Sequence, residues 1–116
     1  AFGREGAKVV VAGRREAEGN ETVRLIQDAG SDAIFVSTDV ALATDNARLV
    51  EKTLEAFGKL DVSFLNSGVF GLGALTDTDE AEWDRQININ LKGAFLGLKY
   101  QIPALLQNGG GSIVLN

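Results

Sequence analysis

The sequence predicts an α/β protein built on a doubly wound parallel sheet, with helices on both sides of the sheet. Two observations predict this fold. Short apolar segments rich in β-branched residues alternate with longer segments of helical periodicity, and glycines separate the two kinds of segment. Strands that alternate with helices of this length form parallel βαβ units with right-handed crossovers. The expected architecture therefore has three layers, α/β/α.

The first half of the chain contains two predicted strands and two predicted helices. Residues 9–12 are a continuous apolar run, for which we expect a strand buried on both faces. A helical stripe over residues 16–29 stops at Gly30, a residue that suits the left-handed end of a helix. Residues 33–38 are the second strand, and apolar residues at helical spacing over 49–57 indicate the second helix.

The second half of the chain repeats this alternation with a longer helix. Residues 61–65 are the third predicted strand, and a glycine-rich loop covers residues 68–73. The acidic stretch 77–80 suits a helix N-terminus, and apolar spacing then continues from Trp83 to about residue 106. Trp83 lies in this apolar stripe, so we expect it to pack in the core. The segment 112–116 begins a fourth strand.

Composition narrows the possible partners of the chain. Its 116 residues, 45% of them hydrophobic, fit one globular domain over residues 1–116. The formal charge of −5 argues against a nucleic-acid or anionic-membrane partner, and the absence of Cys and His argues against a metal site. The sequence contains neither an apolar run of membrane-spanning length nor the pattern of a secretory signal at its start, so we expect a cytoplasmic location.

Polar residues follow the third predicted strand. Ligands of open α/β sheets bind at the carboxyl ends of strands, where Asn66 can form hydrogen bonds and Gly68, without a Cβ, lets a backbone approach closely. Asn88 and Asn90 interrupt the long apolar helix, although Asn is a poor residue for a helix interior. Such local inconsistency often marks a functional site.

The turn at Asn66-Ser67-Gly68 and the later Asn90 resemble the short-chain dehydrogenase/reductase family. That family has an Asn-Asn-Ala-Gly turn and a helical Asn in this order, and the resemblance covers nearly the whole chain. It implies a Rossmann-like nucleotide-binding domain in a homodimer or homotetramer. Leu65 stands in place of the family's first Asn, where we expect it to fill the core, and Ser67 replaces Ala.

The resemblance also implies a catalytic role for Asn90. It corresponds to the family's tetrad Asn, whose position in a distorted helix helps hold a water that connects the catalytic Lys to solvent. The alternative is that Asn90 is a buried amide bridging the helix to a loop, with its hydrogen bonds satisfied. Asn88 matches no catalytic position and is interpreted as structural.

Arg14 and Arg15 follow the first predicted strand, and they indicate which cofactor is bound. In dinucleotide-binding folds an acidic residue there binds a free ribose hydroxyl, whereas Arg accommodates the 2′-phosphate. Gly13 occupies the expected position of the acid, so NADP is favoured and NAD remains possible. The alternative is a solvated Arg pair balanced by the nearby glutamates Glu16, Glu18 and Glu21.

Asp39 and Val40 follow the second predicted strand and resemble the family's Asp-hydrophobic pair. There the carboxylate accepts from the adenine amino group and the apolar residue flanks the ring. The alternative is an Asp that caps a turn or a helix. With Asn66, Ser67 and Gly68, these residues complete the cofactor-binding set that the resemblance implies.

Several parts of the family's site have no counterpart in this sequence. Its glycine-rich phosphate loop and its catalytic Ser, Tyr and Lys are absent: Tyr100 has Ala104 where the Lys would stand, and Ser112 opens a strand. We therefore expect a segment of a longer oxidoreductase that moves hydride between nicotinamide and a carbonyl or alcohol substrate, and an inactive chain when isolated. In the family order the first strand is missing from an incomplete sheet, which would split into two halves and be poorly stable.

Two alternatives come from other classes of protein. A phospho-acceptor receiver domain is also doubly wound and acidic, with Asp61 or Asp39 as acceptor, but it requires an acidic pair and a late Lys that the sequence lacks. A non-catalytic nucleotide-binding or scaffold protein with the same fold remains open.

Overall fold

The structure, a computed structural model, describes residues 1–71 and 73–116. Its strands and α-helices are β1 (Val9–Gly13), α1 (Glu16–Asp28), β2 (Ala33–Ser37), α2 (Ala43–Phe57), β3 (Val62–Leu65), α3 (Glu80–Gln86), α4 (Gly93–Gln107) and β4 (Ser112–Leu115). Short 3-10 helices cover Phe2–Glu5 and Leu75–Asp77, and a π-helix covers Ile87–Lys92. Leu72, within the predicted glycine-rich loop, lies outside the described residues.

The order of strands and helices agrees with the prediction from sequence. Gly30, just beyond α1, has φ 88°, and Gly58, directly after α2, has φ 76°. Both values lie in the left-handed region that glycine adopts without steric cost, so these two residues end their helices as expected. The long predicted helix consists of α3, the π-helix and α4 in unbroken succession.

The sheet consists of two separate parallel pairs of strands. β1 pairs with β2 from Val9 opposite Ala33 to Gly13 opposite Ser37. β3 pairs with β4 from Val62 opposite Ser112 to Leu65 opposite Leu115. Within residues 1–71 and 73–116 no ladder joins β1 to β3. The prediction of a sheet split into halves is confirmed.

Helices cover both faces of the β1–β2 pair. Phe35 of β2 faces α1, because a Cβ added to Gly19 of α1 would lie only 2.2 Å from its ring. Neighbouring residues of a strand point to opposite faces, so Ile34 and Val36 face the other side, where α2 packs. The α/β fold with helix layers on each side of a parallel sheet is therefore confirmed.

The burial of β1 differs from the prediction. Val9, Val10 and Val11 are only half-buried and Ala12 is exposed, so the expected burial of this strand on both faces is wrong. The reason is a cleft of about 720 Å³ between the two strand pairs, lined by residues of both β1 and β3. Within the described residues no strand occupies this space.

The first turns of α4 hold the two strand pairs together. A Cβ on Gly93 would lie 2.9 Å from Val40 Cγ2, and a Cβ on Gly97 would lie 2.8 Å from Leu65 Cδ2. The two glycines thus admit one apolar side chain from the end of β3 and one from the turn after β2. Leu65 fills this contact, as expected for a core residue in place of a polar one.

Trp83 is the clearest departure from the sequence pattern. The prediction that it packs in the core is wrong, because 56% of the residue is exposed. It begins a row of exposed apolar residues at helical spacing, here called the apolar helix stripe: Trp83, Ile87, Leu91, Phe95, Ile102 and Leu106. The opposite side of α4, which includes Gln101 and Ala104, is buried instead. None of the helices in the described residues combines the length and apolarity needed to cross a membrane.

Candidate functional site

The carboxyl ends of both strand pairs meet at one edge of the molecule. Val40, just after β2, and Leu65, at the end of β3, both contact the start of α4. The candidate residues Val40, Asn66, Ser67 and Asn90 line the same end of the cleft between the pairs. This is the edge at which open α/β sheets bind their ligands.

The two arginines after β1 have different surroundings. Arg15 Nη1 lies 3.3 Å from Glu18 Oε1, an exposed pair within the first turn of α1. Arg14 forms no ion pair or side-chain hydrogen bond with any residue in 1–71 or 73–116. The alternative of a glutamate-balanced pair therefore describes Arg15, whereas the Arg14 guanidinium is available to an anion.

Asp39 stabilises the turn after β2. Its Oδ1 accepts from the backbone N–H of Ala41 at 3.0 Å, and its own N–H donates to Asp45 Oδ2 at 2.8 Å. This is the turn-capping arrangement that sequence alone left open. The second carboxylate oxygen has no partner among the described residues, so the cap leaves one acceptor for a ligand. Val40 follows with its side chain against Gly93.

Asn46 supports this turn and was not identified from sequence. It is 2% exposed, and its Nδ2 donates to the carbonyl oxygens of Val40 at 2.9 Å and Leu42 at 2.8 Å. It thereby fixes the backbone that carries Asp39 and Val40. The predicted second helix covered residues 49–57, so Asn46, in the first turn of α2, lay outside it and carried no signal of this role.

Asn66 is paired across the β3–β4 ladder. Its Oδ1 accepts from Asn116 Nδ2 at 2.6 Å, and the Asn116 backbone N–H donates to the Leu65 carbonyl at 3.1 Å. Asn116 was missed because nothing in its sequence surroundings identifies its partner. The adjoining Ser67 is exposed.

Gly68 leaves an open stretch of backbone beside Asn90. Its φ is not in the left-handed region, and an added Cβ would meet only Asn90 Oδ1, at an ordinary 3.5 Å. Neither conformation nor packing among the described residues therefore requires glycine here. Close approach of a ligand to this backbone remains a reason for glycine at position 68, as expected from the sequence.

Asn90 lies within the π-helix, so the expected distortion of the helix is present. Its Oδ1 accepts from the Val69 N–H at 2.8 Å, and its Nδ2 donates to the Val69 carbonyl at 2.9 Å. The amide thus bridges helix to loop, which is the contact the structural alternative described, although Asn90 is exposed rather than buried.

A buried polar pair lines the cleft. Ser63 Oγ donates to Gln101 Oε1, and the two residues are 5% and 8% exposed. Their hydroxyl and amide fix β3 against α4, because a buried polar group that lost its partner would be costly. This pair was not predicted from sequence, since the partners are separated by 38 positions.

Comparison with known proteins decides the family. The family model described as short chain dehydrogenase matches residues 1–115. This chain belongs to the short-chain dehydrogenase family. An uncharacterized oxidoreductase of Thermotoga maritima is 40% identical over 113 residues, which are 97% of this chain and 44% of the relative. The chain thus spans less than half the length of this short-chain dehydrogenase relative.

Solved structures of short-chain dehydrogenase type share the fold. A 3-ketoacyl-ACP reductase from Sinorhizobium meliloti 1021 superposes with a TM-score of 0.92 at 35% identity, covering 96% of this chain and 44% of that one. An NADH-dependent reductase, A1-R′, solved in complex with NAD, gives a TM-score of 0.84 at 26% identity, covering 96% and 49% respectively. In both comparisons the similarity extends over nearly the whole of this chain.

Family membership excludes the receiver-domain alternative. Asp61 also lies at the amino end of β3, away from the ligand edge, where it pairs with Lys59 and accepts from Asn108. The hydrogen bond from the Lys59 ammonium, assisted by that from Asn108, lowers the pKa of the Asp61 carboxyl. Asp61 is an exposed surface carboxylate in a short-chain dehydrogenase.

Short-chain dehydrogenases use NAD(P), and the chemistry of the ligand edge fits such a group. Arg14 provides a cation without a partner among the described residues, one oxygen of Asp39 is a free acceptor, and Val40 offers an apolar surface. Asn66 Nδ2 remains as a donor on the neighbouring strand pair. These groups match a phosphate, an adenine and a ribose in kind.

Proposed function

We propose that the complete protein is an NAD(P)-dependent oxidoreductase that transfers hydride between nicotinamide and a carbonyl or alcohol substrate. Residues 1–116 would form part of its single nucleotide-binding domain, in the cytoplasm. The observation that carries this proposal is the set of unpartnered polar groups at the ligand edge of a chain whose residues 1–115 match the family. When bound, the cofactor supplies the redox chemistry, and the protein binds and orients it.

Arg14 is the main determinant of cofactor choice in this proposal. Its guanidinium is free to pair with a 2′-phosphate, and Gly13 offers no carboxylate to a free ribose hydroxyl. Arg15 contributes less, because Glu18 offsets part of its charge. NADP is therefore favoured, and NAD remains possible because A1-R′, a similar reductase, was solved with NAD.

The remaining binding residues occupy the adenine and ribose positions. The free oxygen of Asp39 would accept from the adenine amino group, with Val40 against the ring. Asn66 would donate to a ribose hydroxyl, and Ser67 and Gly68 would let the chain approach the cofactor closely. Asn46 keeps the first two residues in place from within α2.

Asn90 would support proton transfer from behind the cofactor. Both polar groups of its side chain bind Val69, so a relay water would be held by the backbone of the π-helix. Wider π-type turns shift carbonyl groups away from the ordinary α-helical hydrogen-bond pattern and occur frequently at functional sites. The side chain would then position the loop after β3 against this water.

Activity and binding measurements test the proposal. We expect the complete protein to bind NADP and to oxidise or reduce members of a panel of small alcohols and carbonyls, followed by nicotinamide absorbance. The chain of residues 1–116 should show no turnover on the same panel, because the Ser, Tyr and Lys of the family's site are absent from it. A complete protein that binds neither NADP nor NAD would contradict the proposal. Binding without turnover would favour the non-catalytic alternative, for which the Asn90 bridge to Val69 is a sufficient structural role.

We also propose that the complete protein is a two-fold homodimer, or a tetramer that contains this dimer, and that the dimer buries the apolar helix stripe. Exposed apolar rows of this kind mark protein interfaces, and a two-fold axis lets the same stripe serve both subunits.

Phe95→Glu should produce monomers, because it places a charge at the centre of the stripe. Phe70→Glu is the matched control: Phe70 is also exposed but lies off the stripe, so the dimer should persist. Light scattering that shows a wild-type monomer over a wide concentration range would refute the proposal.

A further inference from the structure

Three exposed side-chain amides line the ligand end of the cleft: Asn66, Asn90 and Asn116. Val69 engages both polar groups of Asn90 with one hydrogen bond each, which holds this amide against the loop. Asn116 Nδ2 donates to Asn66 Oδ1. Among the described residues, Asn66 Nδ2 and Asn116 Oδ1 have no partner. One donor and one acceptor therefore remain on adjacent side chains.

The strand register holds these two side chains together. Leu65 stands opposite Leu115, and the hydrogen bond from the Asn116 N–H to the Leu65 carbonyl continues the ladder by one residue. Asn66 and Asn116 are thus cross-strand neighbours on a fixed backbone, and both are exposed at the ligand edge. Cross-strand neighbours at this spacing interact directly.

We propose that Asn116 orients the Asn66 amide, and that the pair binds one ribose hydroxyl of the dinucleotide. Because Asn116 donates to Asn66 Oδ1, the Nδ2 of Asn66 is left to face the ligand. A hydroxyl can accept one hydrogen bond while it donates another, so it satisfies Asn66 Nδ2 and Asn116 Oδ1 together. This inference rests on the proposed function, since it requires a bound dinucleotide.

The variant Asn116→Asp of the complete protein tests whether Asn116 orients the Asn66 amide or only lies beside it. A carboxylate can only accept, so Asn66 would turn its Nδ2 toward Asp at this position and present its Oδ1 to the ligand. The free donor is thereby lost although the shapes of both side chains are kept. Asn66→Asp removes the same donor directly, because a carboxylate has no N–H. It keeps the pair, since the carboxylate can still accept from Asn116 Nδ2.

The test measures the dissociation constants of NADP and of analogues that each lack one ribose hydroxyl, by titration calorimetry. Wild-type protein should lose about 10- to 100-fold in affinity for one analogue, the range of two hydrogen bonds. In Asn116→Asp and in Asn66→Asp the loss for that analogue should fall to about 3- to 10-fold, since the hydroxyl keeps an acceptor but no longer has its donor. Asn20→Asp, an exposed site on α1, is the control for added charge and should keep the wild-type discrimination.

The measurements distinguish the loss of a hydrogen bond from charge repulsion and from misfolding. Charge repulsion weakens all analogues alike and is screened by salt, so it cannot imitate a loss of discrimination. Thermal unfolding identifies a variant that fails to fold, in which case the other Asp variant decides. Unchanged discrimination in the folded variants, or a wild-type protein that distinguishes no hydroxyl, would overturn the inference. A wild-type protein that binds no dinucleotide would instead refute the proposed function.

Discussion

Arg14→Asp is expected to lower the NADP/NAD ratio of kcat/KM of the complete protein by about 100-fold. A hydrogen bond to a charged group contributes about 1.5–3 kcal/mol, and about 1.4 kcal/mol corresponds to a factor of ten. The substitution removes such a bond to the 2′-phosphate and introduces repulsion. It also offers an acceptor to the free ribose hydroxyl of NAD. Steady-state kinetics with both cofactors measures the ratio.

Arg15→Asp is the matched comparison for this experiment. It makes the same change of charge one residue away, at a guanidinium that already pairs with Glu18. A smaller change in the ratio is expected. An unchanged ratio in Arg14→Asp would exclude this role for Arg14, and equal effects of both variants would show that only overall charge matters.

Asn90→Ala is expected to lower kcat by about 10- to 100-fold while the dissociation constant of the cofactor changes by no more than a few-fold. The Val69 N–H and carbonyl both lose their partner, so the loop after β3 is no longer fixed to the π-helix. The cofactor contacts assigned to Arg14, Asp39 and Asn66 are not altered. Stopped-flow or steady-state kinetics, together with calorimetric titration of NADP, separates the two quantities.

Asn88→Ala is the control for removing an amide from the same π-helix, and it should turn over normally. Thermal unfolding must accompany the kinetics, because an unpaired polar group costs about 1–3 kcal/mol where it is buried. A folded Asn90→Ala variant with normal binding and the wild-type kcat would make the catalytic assignment wrong. Asn90 would then be a structural amide between helix and loop.

The sequence predicted best what depends on neighbouring residues. The helix ends at Gly30 and Gly58 follow from the conformational freedom of glycine, and the alternation of strands and helices follows from apolar spacing. The burial of Trp83 and of β1 was predicted wrongly, because periodicity identifies an apolar face without identifying what covers it. Burial is a property of the packed surroundings, and these two regions face solvent or the cleft.

In the candidate site too, local features were predicted from sequence and features set by tertiary packing were not. The positions of Arg14, Asp39, Asn66 and Asn90 followed from residue type and from their place after a strand or within a helix. That Arg15 pairs with Glu18 while Arg14 does not depends on the direction in which α1 leaves β1. The partner of Asn66 depends on the register between β3 and β4, which lie 50 residues apart at that hydrogen bond.

The separation of the two strand pairs determines which backbone amides remain without a ladder partner. The Val9 N–H and the Gly13 carbonyl bond toward β2, so the alternation of a strand turns the amides of Val10 and Ala12 into the cleft. The carbonyls of Asp61 and Leu65 bond toward β4, which turns the amides of Val62 and Phe64 into the same space.

Within the described residues these inward-facing N–H groups have only solvent as a partner. In native-state hydrogen exchange, β1 and β3 would therefore alternate between slow and fast deuteration along their length, rather than behave as uniformly protected strands. A strand entering the cleft would protect both inner edges in a single cooperative step, because each of its own edges would complete one of the two ladders.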